Sequence, residues 1–205
     1  MNIEIGYIKN TRLITEITDD FHISLNEINE NINMINFSML QIPNLKKERF
    51  VKLLFSLTNV PFYMYIELNN SDEKEFENQL IKNNNIFVKK ITTKSKTYFE
   101  VTIQKLIDLE KIMDDFIYQI CVGNQVLFST NKSNLQFNKK IDVIGFSKVE
   151  IIHVDITIRE NTSVIFIGND ANEMFLLSKN KQYANIKNLK NLLPDFVQFT
   201  HQDFD

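Results

Sequence analysis

The stretch VPFYMYIELNNSDEKEFENQLIKNNNIFVKKITTKSKTYFEVTIQKLIDLEKIMDDFIYQICVGNQVLFST, residues 60–130, decides the fold. Pro61–Leu68 is rich in aromatic and β-favouring side chains, so it predicts a strand. Asn70 or Ser71 then caps a short helix running to about Asn83, with Phe76, Leu80 and Ile81 turned inward. Asn83, Asn84 and Asn85 make a turn, because Asn tolerates positive φ. Ile86–Ile91 and Thr97–Ile103 form a hairpin pair. Across 104–120, Leu106, Leu109, Met113, Phe116 and Ile120 recur at helical spacing. Gly123-Asn124 ends that helix, and Gln125–Ser129 is a further strand.

The resulting order, β-α-β-β-α-β, resembles the split-βαβ pattern of ferredoxin-like units. Working outward, residues 2–9 and 12–18 read as strands, with a turn at Asn10-Thr11. Ser24 and Glu27 match a capping box, and Leu25, Ile28, Ile32 and Ile35 follow at 3.6-residue spacing, so a helix is predicted over 25–36. Phe50, Leu53, Leu54 and Leu57 mark another helix at 45–57. Beyond 130 the chain reads mostly as β. It has an alternating strand at Lys148–Arg159 and a hairpin of Ser163–Ile167 with Glu173–Ser178 about a turn at 168–170. A short helix near 185–193 ends at Pro194, and His201-Gln202-Asp203 should fray. The predicted class is α+β, mainly antiparallel sheets with packed helices. It divides into an α+β sub-domain at 1–130 and a β-rich sub-domain at 131–205, or packs as one compact domain.

Composition excludes several chemistries. Only four glycines occur, Gly6, Gly123, Gly145 and Gly168, too far apart for a phosphate-cradling loop or a nucleophile elbow. The single cysteine, Cys121, rules out an intramolecular disulfide and a cysteine zinc site. Its apolar neighbours, Ile120 and Val122, favour an inert thiol. With 26 asparagines and 28 isoleucines against two alanines and three arginines, the chain carries the mark of AT-rich codon usage. The net charge of -3 argues against nucleic acid as a partner. No secretory leader and no membrane-length apolar run is present, so a cytoplasmic protein without a membrane partner is expected.

The candidate sites are few. His153 and Asp155 lie two apart on one face of a strand, where a carboxylate can orient an imidazole for acid–base work. The plainer alternative is the polar face of an antiparallel strand. Lys82, Lys89, Lys90, Lys94 and Lys96 lead into Tyr98 and Phe99, a basic–aromatic hairpin of the kind that stacks single-stranded RNA. The plainer alternative there is a lysine-protected sheet edge. Asp114 and Asp115 lie on the 104–120 helix and could attract a basic partner. The three histidines, His22, His153 and His201, are too scattered to suggest a metal site, and no cofactor is expected.

With no catalytic motif, the expected function is protein binding. The concrete form is a small bacterial inhibitor or immunity-type protein that occludes a toxin or enzyme. The alternatives are an enzyme or small-ligand protein built on His153 and Asp155, and RNA binding through 82–99.

Overall fold

A computed structural model of the chain describes residues 1–19, 21–26, 32–40, 42, 46–58, 61–82, 86–121, 125–168 and 171–204, and all side chains among them except those of 86–89, 114–121, 144 and 202–204. The decisive stretch folds as β4 (Phe62–Asn69), α3 (Glu73–Lys82), β5 (Ile86–Thr92), β6 (Lys96–Ile103), α4 (Leu106–Cys121) and β7 (Val126–Ser129). Its strands lie side by side as β7-β4-β6-β5, all antiparallel. That is the split-βαβ arrangement, with β6 between β4 and β5 and with β4 between β7 and β6.

These four strands are one end of a nine-stranded sheet, ordered β12-β1-β3-β11-β10-β7-β4-β6-β5. The others are β1 (Asn2–Ile8), β3 (Asn33–Ser38), β10 (Ser163–Ile167), β11 (Met174–Ser178) and β12 (Gln198–Phe204). Strands from either side of residue 130 therefore interleave in one sheet. A second sheet of three strands, ordered β2-β9-β8, comprises β2 (Ile23–Leu25), β8 (Leu135–Ile144) and β9 (Ser147–Ile156).

Strand alternation separates two cores. On β4, Phe62, Met64, Ile66 and Leu68 turn to one face; they pack with α2 (Lys47–Leu57), α3 and α4 through Phe50, Leu54, Phe76, Leu109 and Met113. Tyr65 turns to the other face, into a core that also holds Leu127, Phe166, Phe175, Val154 and Ile156, beneath the small sheet and α1 (Thr11–Asp19). A sheet buried on both faces needs apolar residues at both parities, hence the near-continuous apolar runs. α5 (Ile186–Lys190) adds Leu189 to the first core.

Three expectations are corrected. Residues 12–18 are helical, within α1. Asn10 Oδ1 accepts from the backbone N–H of Arg12 and of Leu13, and Ile14 and Thr18 share the buried side. The helix predicted over 25–36 is not formed: 23–25 and 33–38 are strands, and 27–31 lie outside the described residues. β3 is hydrogen-bonded on both sides, to β1 and β11. Its Met34 serves one core and Ile35 and Phe37 the other, so a doubly buried strand mimicked a helical stripe. Finally, residues 198–204 are not frayed but pair in parallel with the whole of β1.

Candidate functional site

β9 sets His153 and Asp155 on the face of the small sheet opposite to Val154 and Ile156. Antiparallel β8 brings Asn138 directly across from His153. Parallel β2 brings Ser24 across from Asp155. The four side chains form one hydrogen-bonded group. Ser24 Oγ is 2.7 Å from His153 Nε2, and Asp155 Oδ1 is 3.5 Å from that same nitrogen. Asn138 Nδ2 donates to Asp155 Oδ2 at 2.5 Å. One step along, Asn26 Nδ2 donates to Thr157 Oγ1 at 2.8 Å.

The His153 side chain is 12% exposed. Burial, and then the charge of Lys140, hold its imidazole pKa below the ordinary value, against the opposing pull of Asp155. The ring is therefore neutral at pH 7. In a hydroxyl–imidazole–carboxylate relay the hydroxyl and the carboxylate engage different ring nitrogens, so that the carboxylate fixes the tautomer. Here both converge on Nε2. The arrangement ties three strands together, and it does not orient the imidazole as a relay would. The sequence reading paired His153 with Asp155 correctly on one face. It missed Ser24, assigned there to a helix cap, and Asn138, which only the pairing of β8 reveals.

The other candidates fare differently. Tyr98 and Phe99 are buried, with Tyr98 donating its hydroxyl hydrogen to Gln125 Oε1. Lys90 is ion-paired to Glu73 and, at 2.9 Å, to Glu77; Lys96 lies 3.8 Å from Glu67. A base-stacking platform needs exposed rings, and at these two positions the rings are enclosed. Lys82 and Lys94 are exposed, whereas the Lys89 side chain lies outside the described residues. So do the side chains of Asp114, Asp115 and Cys121. Among the described residues no cluster of three His, Cys, Asp or Glu is placed to hold a metal ion. None of the described helices is long and apolar enough to cross a membrane. An open cleft of about 350 Å³ lies elsewhere, along β1 and β12 beside Met39.

The most distinctive surface is one that residue patterns left unmarked. β8 and β9, ten residues each, form a hairpin closed by a two-residue turn, Gly145-Phe146. Gly145 has φ of 63°, as the first central position of such a turn requires of glycine. At its base, Leu135 and Phe137 pack into the second core, where the Phe137 ring lies 5.0 Å from that of Tyr65 and 5.8 Å from that of Tyr98. Farther out on the same face, Ile141 is 72% and Val143 63% exposed, and Phe146 at the tip is fully exposed. The outer half of the hairpin is thus an arm whose apolar side chains meet solvent. The chain matches no protein-family model, and no curated protein matches it.

Proposed function

We propose that this protein works by binding another protein, with the outer part of the β8–β9 hairpin as its principal contact surface. The observation that carries the reading is the run of exposed Ile141, Val143 and Phe146 on one projecting element. Apolar side chains grouped in this way favour burial against a partner. Lys139 and Lys148 flank them on the same arm, giving the polar rim that a partner-binding patch carries. The finer reading is an inhibitor or immunity-type protein that occludes a toxin or enzyme and performs no chemistry of its own.

The test is capture of the partner from native lysate, followed by assay of the partner's activity. Phe146→Asp should lose capture and inhibition at least about tenfold, as expected of a central aromatic contact. His153→Ala should leave both unchanged. The reverse pattern would overturn this reading. It would favour the second reading, a site at His153 and Asp155, for which the 2.7 Å contact with Ser24 is the supporting observation.

A further inference from the structure

We propose that the outer edge of β8 pairs antiparallel with the same edge of a second copy of this chain, in a register centred on Ile141. The inference goes beyond the binding reading, because it uses the strand edge; of the arm's exposed apolar residues it engages Ile141 and leaves Phe146 at the tip free for another partner.

Among the described residues, β8 is the last strand of the small sheet, with β9 on one side and no further strand on the other. A strand edge presents unpaired N–H and C=O groups and pairs readily with another strand. Here the edge bears a sign of that demand. The backbone N–H of Val143 donates to Asp142 Oδ1 at 2.7 Å, a local side-chain cap, instead of to β9. Ile141 is two residues earlier, so its N–H and C=O point to the same outer side.

A twofold axis through a pair of antiparallel edges places one residue opposite its own copy. The sequence Lys139-Lys140-Ile141-Asp142-Val143 then distinguishes the registers. Centring on Lys140 opposes two lysines, and centring on Asp142 opposes two carboxylates. Both juxtapositions are unfavourable across a strand pair. Centring on Ile141 opposes two exposed isoleucines and sets each Lys140 against the other copy's Asp142, twice by symmetry. Lys139 then faces Val143, whose N–H exchanges its cap for a backbone carbonyl. In this register the edge is self-complementary in charge, and it buries Ile141, which is otherwise exposed.

The experiment is sedimentation of the purified chain over a range of concentrations, together with hydrogen exchange. The wild type should form a dimer in the micromolar range, with the amides of Ile141 and Val143 gaining protection as concentration rises. Lys140→Asp and Asp142→Lys should each weaken the dimer about tenfold, since each turns two attractive pairs into repulsive ones. The combined exchange Lys140→Asp with Asp142→Lys should recover the wild-type affinity to within a few-fold. These are exposed or half-exposed positions, and circular dichroism verifies that each variant is folded. A wild type that stays monomeric at about 100 μM would overturn the proposal, a concentration roughly a hundredfold above a dissociation constant of about 1 μM. So would a dimer that the combined exchange fails to rescue, or one whose protected amides lie outside 139–143. Because no third protein is present, loss of this dimer is read separately from loss of partner capture.

Discussion

The four strands at 62–129 and the two strands of the β8–β9 hairpin follow the same rule of alternation but meet opposite surroundings. In the first region both faces are covered: helices lie on Met64, Phe99 and Phe128, and the small sheet lies on Tyr65, Tyr98 and Leu127. In the second, one face begins as core at Leu135 and Phe137 and ends in water at Ile141 and Val143. On the hairpin face apolar residues recur on either side of Lys139. In the covered region that parity contributes stability; at the end of the arm it leaves apolar area for contact with something else.

The comparison can be broken most severely from inside the covered region. Met113 is fully buried between α4 and the sheet. Met113→Asp should destabilise by at least about 3 kcal/mol, through lost packing and a buried charge. A melting temperature within a degree or two of wild type would remove α4 from the core. Within the hairpin, the two halves should separate cleanly. Phe137→Ala, which abandons the rings of Tyr65 and Tyr98, should cost about 2–4 kcal/mol in denaturant titrations. Ile141→Ala in the dilute monomer should change stability by no more than about 0.5 kcal/mol. Equal effects at the two positions would mean that the arm has no free half.

The smallest effect concerns pH and the junction of β2, β8 and β9. The His153 pKa is lower folded than unfolded, so the unfolded chain binds more protons between those two values. Stability is therefore fully present above the ordinary histidine pKa, roughly 6.5, and declines as pH falls below it. His153→Gln should flatten stability between pH 7 and 5 relative to wild type, as measured by urea unfolding at each pH. An unchanged slope would assign the acid dependence to other groups.

What the sequence made legible follows from the same contrast. The β-α-β-β-α-β unit was readable because local signals agree: the stripe of Leu106, Leu109 and Met113 has helical spacing, and Phe62–Asn69 and Lys96–Ile103 are rich in β-favouring residues. Residues 25–36 were misread because β3 is buried on both faces, so Ile32, Met34, Ile35 and Phe37 lack a two-residue rhythm. In α1 the β-branched residues favour a strand by propensity, whereas its Asn10 cap and the pairing of Ile14 with Thr18 settle for a helix. β12 was invisible because its partner, β1, is nearly the whole chain away in sequence. At the candidate site, His153 and Asp155 could be placed on one face from spacing alone. Ser24 and Asn138 could not, since their approach depends on strand pairing. The arm was missed because exposure is decided by where the body of the protein stops, and no residue pattern records that.

The place of β10 and β11 in the large sheet bears on how the protein is made. They stand between β3 and β7, joining β12-β1-β3 to β7-β4-β6-β5. While synthesis has yet to reach Ser163, the emerging chain contains the strands of the small sheet and of two separate parts of the large one, without the two strands that join those parts. β3 and β7 each wait with an unpaired edge, β7 for the 33 residues between Ser129 and Ser163 and β3 for far longer. At ribosomal speeds of about 5–20 residues per second, β3 waits at least several seconds. Closure of the sheet is therefore a late, long-range event, of the kind that folds slowly and leaves strand edges open to mispairing along the way.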